Sequence, residues 1–344
     1  MKLTATQSDL SRLLRIVAPA VGASSSHPVL GCVLLLAEAG KLSAQTYNLD
    51  TGITAHCVAA VDTAGSICLP HRLLAGIIDR LDDSEAVTIT ADGALSARSG
   101  TYQLPPTPAA DFPDLPAIIT KGQPLTLGAA SRAALLCAST DASKAVLQGV
   151  RVADGHIAAA DGHRLVRWPL ELPDGLAVTL PAATVKLIGD QPAVIATDKA
   201  FASICLPDCT IHSRILDGAY PSVEKLIPDA FKHTVTADRH RLQRALQRVA
   251  LIAEAHNNVV KLTVADGQLT VAADADGRNG RETMLVDGPD CNWAFNVRYL
   301  LDGIKVHRDA GTVTLSGNSP TTPVIMRSDS IAAIYLVMPV QVRE

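Results

Sequence analysis

Three stretches of the chain open in the same way: LTATQSDLSRLL from Leu3, LTLGAASRAALL from Leu125 and VTADRHRLQRAL from Val235. Each reads as a short β-type run, a polar cap region and an amphipathic helix. In the first, Leu10, Leu13, Leu14 and Val17 fall at i, i+3, i+4 and i+7, one helical face. Leu242, Ala245, Leu246 and Val249 repeat that spacing in the third. The middle copy keeps Leu135 and Leu136 but has Arg132 and Ser139 at the outer positions. Such internal repetition constrains the fold more than any single motif, because each copy must build the same unit.

Two further elements recur in the same order. VLGCVLLLAEAGKLSAQTYNLDTG, VLQGVRVADGHIAAADGHRL and VVKLTVADGQLTVAADADGRNG each read as strand, tight turn, strand, with Ala-Gly, Asp-Gly and Asp-Gly at the turns. SICLPHRLLAGIIDRL, VTLPAATVKLIGD and WAFNVRYLLDGIKV each read as strand then helix. The expected architecture is a triplicated α+β unit, with two helices and several antiparallel strands per copy. Proline-rich stretches at 104–118 and around Pro221 and Pro228 mark the connectors. The expected domains are residues 1–118, 119–230 and 231–344.

Composition excludes several classes of function. Hydrophobic residues are 48% of the 344, ample for a large core and too many for general disorder. Eleven aromatic residues (2 Trp, 5 Tyr, 4 Phe) are too few for rows of base-stacking rings. The longest apolar run, residues 29–37, is too short to span a bilayer. The opening MKLTATQSDL turns polar at once, so no signal peptide and no membrane association are expected. Seven cysteines form no CxxC pair, and most sit in apolar runs; structural thiols, no metal site and a reducing cytoplasm are expected. Cys205, His163 and Asp161 could serve an enzyme, but no nucleophile elbow, metal-binding helix or glycine-rich phosphate loop surrounds them. The expectation is a non-catalytic protein without a cofactor.

With 30 Lys+Arg against 34 Asp+Glu, the net charge is −4, which argues against a basic surface over the whole protein. The six expected helices nevertheless carry a net +6, leaving −10 elsewhere. Arg241, Arg244 and Arg248 form one stripe with Arg239 and His240 beside it, and Arg298, Lys305 and Arg308 form another. One such stripe alone would be a solvated helix face. A helix-wide excess in an acidic chain suits loose, salt-dependent contact with phosphates.

On these repeats and on HPVLGCVLLL (27–36), PAADFPDLP (108–116), VLQGV with AADGHRL (146–165), SRILDGAYPSVEKLIP (213–228), FNVRYLLDGI (295–304) and YLVMPVQV (335–342), the whole chain resembles the bacterial sliding clamps, the β subunits of DNA polymerase III. The resemblance implies a DNA clamp fold of three repeated domains, two copies closing head-to-tail into a ring around duplex DNA. It also implies that DNA polymerases and clamp-loader subunits insert a short hydrophobic peptide into a pocket. The matching positions are Leu147, Gly162, His163, Arg164, Leu165, Pro221, Lys225, Leu226, Asn296, Tyr299, Val337, Met338, Pro339 and Val340.

The side chains expected to face DNA are Arg12, Arg15, Arg72, Arg80, Lys144, Lys186, Arg239, Arg241, Arg244, Arg248 and Arg298, with no base readout. The homodimer interface is expected at Leu104, Leu251 and Ile252. Against the family pattern, Ser24 stands for an arginine, Ala145 and Val146 for tyrosines, Asn257 for a bulky residue, Lys225 for an arginine and Ala160 for a threonine. A divergent accessory clamp, or a scaffold that keeps the pocket without holding DNA, is the alternative reading.

Overall fold

The computed structural model describes the chain except residues 24–26, 118–120, 255–256, 276 and 342–344, so Ser24 lies outside the described residues. Its six α-helices are α1 (Gln7–Val17), α2 (His71–Ile78), α3 (Gly128–Cys137), α4 (Ala182–Ile188), α5 (Arg239–Ala253) and α6 (Val297–Val306). Local chemistry sets their starts. Thr6 caps α1 by accepting from the Asp9 N–H, Asp238 caps α5 at Arg241, and Asn296 caps α6 at Arg298. The hairpin turns at Asp154-Gly155 and Asp266-Gly267 have both residues at positive φ, the geometry that matches strand twist.

The buried faces of α1 and α5 are the ones their spacing predicts: Leu10, Leu13, Leu14 and Val17, and Leu242, Ala245, Leu246 and Val249. In α3 the expectation fails. Its core face is Ala130, Ala133, Ala134 and Cys137, and Leu135 and Leu136 are only half-buried. Small side chains let that helix approach its sheet closely, and they give a weak hydrophobic period.

The chain gathers into two compact units, Met1–Thr126 with Gln191–Ile215, and Leu127–Asp190 with Leu216–Glu344. The first unit holds a five-stranded sheet in the order Ala60–Thr63, Lys2–Thr6, Ala86–Thr90, Ala94–Ala97, Gly100–Gln103. It also holds an eight-stranded sheet: Gln123–Thr126, Pro192–Thr197, Phe201–Cys205, Cys209–Arg214, Thr51–Val58, Lys41–Tyr47, Cys32–Glu38, Gly65–Pro70.

The second unit holds another eight-stranded sheet, Val178–Pro181, Gly149–Ala153, His156–Ala160, Arg164–Pro169, Ile334–Val337, Val324–Arg327, Thr312–Gly317, His233–Asp238. Its four-stranded sheet runs Arg278–Leu285, Gln268–Ala275, Val259–Ala265, Cys291–Asn296. Each eight-stranded sheet is two four-stranded halves from successive repeats, joined antiparallel. Ile211 faces Ile53 at one seam and Leu165 faces Leu336 at the other. Every described strand pairing is antiparallel.

One core group makes stability pH-dependent. His307 is fully buried, its ring nitrogens facing the Met326 carbonyl at 3.2 Å and the Ser328 hydroxyl at 3.1 Å. Burial pushes its pKa down to about 4. The unfolded chain therefore takes up a proton near pH 6.5 that the folded chain refuses, and stability falls as pH drops below that value. Between pH 7 and pH 5 the folded state should lose about 2 kcal/mol through this residue. The measurement is urea unfolding at both pH values for wild type and His307→Gln; equal losses in the two would rule the histidine out.

Candidate partner pocket and DNA-facing helices

The Asp161-Gly162-His163-Arg164 turn is held from several sides. Asp161 Oδ1 accepts from the backbone N–H of His163 (2.8 Å) and Arg164 (3.0 Å), which bends the chain. Gly162 sits at φ +95°, where a side chain would be strained, and a Cβ there would lie 3.2 Å from Lys144 Nζ. Lys144 donates to the Asp161 carbonyl at 2.9 Å. Arg164 donates through Nε to Asp161 Oδ2 at 2.9 Å and through a terminal nitrogen to Asp302, which also accepts from Lys305. Its guanidinium lies 4.5 Å over the Tyr299 ring, and His163 stacks on the same ring at 6.1 Å.

The end of the described chain runs along this turn. The Met338 N–H donates to the His163 carbonyl and the Val340 N–H to the Ala294 carbonyl, both at 2.8 Å. Ala158, Ala160, Leu165, Val223 and Leu336 form a buried cluster, against which Tyr220 and Met338 pack half-buried. Tyr220 accepts a hydrogen bond from the Ala160 N–H at 3.0 Å, and burial pushes its phenol up to about 12. A cleft of about 370 Å³ opens beside the cluster, walled by Ala158, Tyr220, Pro221 and Val223 and by the polar His156 and Glu224. Glu224 fastens its own segment by pairing with His156 and Arg167, each at 3.5 Å. Its own backbone N–H, then His156, Ser222 and Arg167, hold its carboxyl below the usual range.

Most of the expected pocket positions gather here, in differing roles. Leu165 and Met338 belong to the apolar cluster beside the cleft. Leu147 is half-buried on a short 3₁₀ turn, Ala145–Gln148, its carbonyl accepting from Ser139 N–H. Pro221, Lys225 and Leu226 are exposed, and Pro339 and Val340 half-buried. Asn296 and Tyr299 open α6, and Tyr299 lends its carbonyl to the Tyr335 hydroxyl at 2.7 Å. Val337 corrects the expectation: it is fully buried on the sheet face opposite Leu336, because side chains alternate along a strand, so it lines no slot. Sequence reasoning missed Tyr220, Val223, Ala158 and Leu336; the alternation of Leu336 with Val337 was the available signal for the last.

The expected DNA-facing cations divide sharply. Arg72, Lys186, Arg241 and Arg244 are exposed and have no ion pair among the described residues. Arg80, also exposed, donates to the Gly76 carbonyl. Arg12 pairs with Asp208 at 3.4 Å, Arg298 with Glu254 at 3.2 Å, and Arg248 grips both oxygens of Glu282 at 2.6 and 2.8 Å. Arg15 donates to Ser11 Oγ, itself bonded to Asp79.

Two of these cations are engaged within the fold. Arg239 is only 5% exposed and donates to the Ala310 carbonyl and Gln243 within the fold. Lys144 lies beyond the end of α3 and braces the Asp161 turn. At the expected dimer positions, Leu251 is exposed and Ile252 half-buried, but Leu104 is fully buried. Its N–H bonds the Gly93 carbonyl, and the exposed large apolar side chain of that edge is Tyr102.

The cysteines are buried or half-buried except Cys205, and burial pushes Cys68 to about 12 and Cys209 to about 11. No cluster of three or more His, Cys, Asp or Glu side chains suited to a metal occurs among the described residues. Nor is any described helix long and apolar enough to cross a membrane.

Residues 1–116 match the model of the DNA polymerase III beta subunit N-terminal domain, and 224–341 that of its C-terminal domain. A beta sliding clamp from Synechococcus elongatus is 35% identical over the full length of both chains. This chain belongs to the β sliding clamp family. Among solved structures, the DNA polymerase sliding clamp of Bacillus subtilis shares the fold at a TM-score of 0.92, with 22% identity and full coverage of both chains. The β sliding clamp of Caulobacter crescentus superposes at 0.91, with 25% identity over 99% of each. A sliding clamp needs no tight grip on DNA, and a handful of free arginines and lysines beside paired ones is a charge pattern suited to gliding along phosphates.

Proposed function

We propose that two copies of this sliding clamp close head-to-tail into a ring around duplex DNA and tether polymerases there, without any catalytic step of their own. The observation that carries the ring is a correspondence between seams and free edges. Inside the chain, the strand Cys209–Arg214 joins Thr51–Val58, and Ile334–Val337 joins Arg164–Pro169. By repeat position, the first-repeat counterpart of Cys209–Arg214 and Ile334–Val337 is Gly100–Gln103. The third-repeat counterpart of Thr51–Val58 and Arg164–Pro169 is Arg278–Leu285. Both counterparts are edge strands, each paired on one side only within its own sheet. An unpaired edge is a template for another chain, and a heterologous joint between copies makes a ring when its rotation closes.

Exposed apolar side chains cluster at these edges: Tyr102 on one strand, Leu285 on the other, and Leu251 at the end of α5. Ile252 reaches the second edge, its Cγ1 lying 3.1 Å from where a Cβ on Gly280 would stand. In this reading the repeats are residues 1–118, 119–230 and 231–344, each sharing a sheet with the next. The apolar slot around Met338 receives a short hydrophobic peptide from DNA polymerases and clamp-loader subunits, and the protein works in the cytoplasm.

The test measures retention on nicked circular DNA before and after the circle is cut. A ring stays on the circle and slides off once it is linear; equal retention on both would refute encirclement. Leu251→Asp with Leu285→Asp should weaken self-association in sedimentation velocity by about tenfold or more, and circle retention should fall with it. A scaffold that binds peptide but never stays on the circle is the alternative outcome.

A further inference from the structure

A second cleft in the Leu127–Asp190 and Leu216–Glu344 unit, of about 310 Å³, lies among α3, α5 and α6 and is distinct from the Met338 slot. Its walls are apolar at Leu136, Ile304 and the Trp168 ring, and cationic at Arg132, Lys305 and Arg308. Each of these three cations already has a carboxylate: Asp190, Asp302 and Asp309 respectively. The fourth cation on the cleft, Arg239, does not.

Arg239 is buried, yet its partners are the Ala310 carbonyl (2.8 Å), Gln243 Oε1 (2.8 Å) and the His240 ring. None is an acid. A guanidinium withdrawn from water without an opposite charge is costly, and its planar fork of five N–H donors matches phosphate geometry. The contacts to these partners engage at most four of the five donors, so at least one remains for an anion in the cleft that Arg239 lines. An aromatic wall and aliphatic floor beside it suit a flat ring.

We propose that this cleft binds a nucleotide unit, with the phosphate at Arg239 and the base against Trp168 and Leu136. The volume is at the small end for ligand sites and fits one unit rather than an oligomer. The unit comes either from a free nucleotide or from a DNA strand. The inference stands apart from the ring and the peptide slot.

Trp168 is a built-in reporter, since Trp293, the other tryptophan, is fully buried. Titration with dAMP at low salt should quench fluorescence saturably in wild type and not in Trp168→Phe. Deoxyadenosine, lacking the phosphate, should bind about tenfold more weakly. Arg239→Gln should weaken dAMP binding about tenfold or more. Because Arg239 is buried, Arg308→Ser on the rim provides a second variant, expected to lose about threefold. An eight-nucleotide single strand of dA that binds more tightly than dAMP identifies a strand as the source; weaker or equal binding identifies the free nucleotide. The proposal is overturned if dAMP does not quench, if deoxyadenosine binds as well as dAMP, or if Arg239→Gln and Arg308→Ser both bind dAMP like wild type.

Discussion

Met338→Asp is expected to weaken binding of a short hydrophobic clamp-binding peptide by about a hundredfold or more, measured by fluorescence anisotropy. Met338 packs half-exposed on the cluster of Ala158, Ala160, Leu165, Val223 and Leu336, beside Tyr220. A flexible thioether there can adapt to different apolar anchors. A carboxylate would have to lose its water when the peptide arrives, at a cost of about 3 kcal/mol or more, which corresponds to that factor. The fold should survive, because the 338 backbone still donates to the His163 carbonyl and the side chain is not in the deep core. Leu226→Ala, on the exposed lip, should cost only about three- to tenfold. Full affinity in Met338→Asp would move the peptide site elsewhere.

Arg241→Glu combined with Arg244→Glu should reduce retention on nicked circular DNA by about tenfold or more at low salt, leaving peptide affinity unchanged. Both arginines are exposed, and neither has an acidic partner among the described residues. Their positive charge is therefore free for phosphates, and replacing two such contacts should lower the salt dependence of retention by about two in log–log slope. Arg248→Ser is the internal comparison. Glu282 already neutralises Arg248, so that change should matter less. If the double reversal and Arg248→Ser behave alike, the stripe is a solvated helix face.

These contrasts explain what the sequence could convey. Arg239, Arg241, Arg244 and Arg248 form one basic run in the text, and the helical period alone suggests a single stripe. The fold gives them three environments: buried among neutral groups, free at the surface, and paired to a strand 34 residues away. The repeats were legible because Leu and Val at helical spacing and Asp-Gly turns are local signals. The alanine face of α3 was not, because small residues blur the hydrophobic period.

The proposed pocket is read from the sequence in outline, through the Asp161-Gly162-His163-Arg164 turn and the YLVMPVQV ending. Its floor is not, because Tyr220 and Val223, on the irregular segment after Cys209–Arg214, reach Ala158 on a distant strand only through tertiary packing, which no local pattern encodes. Leu104 reads as an edge residue, but its side chain is fully buried, which no local pattern reveals.

The shared sheets also speak to history. Every repeat contributes two half-sheets, and at both internal seams a half-sheet is completed by its neighbour rather than by its own repeat. A protein of one repeat would expose the two edges that meet at these seams, and assembly with copies of itself would cover them. Fusion of such repeats into one chain would replace encounters between separate molecules with covalent links. On that view oligomerisation came before the long chain. In the proposed ring, the joint between Gly100–Gln103 and Arg278–Leu285 is the seam that keeps the older, reversible kind of contact.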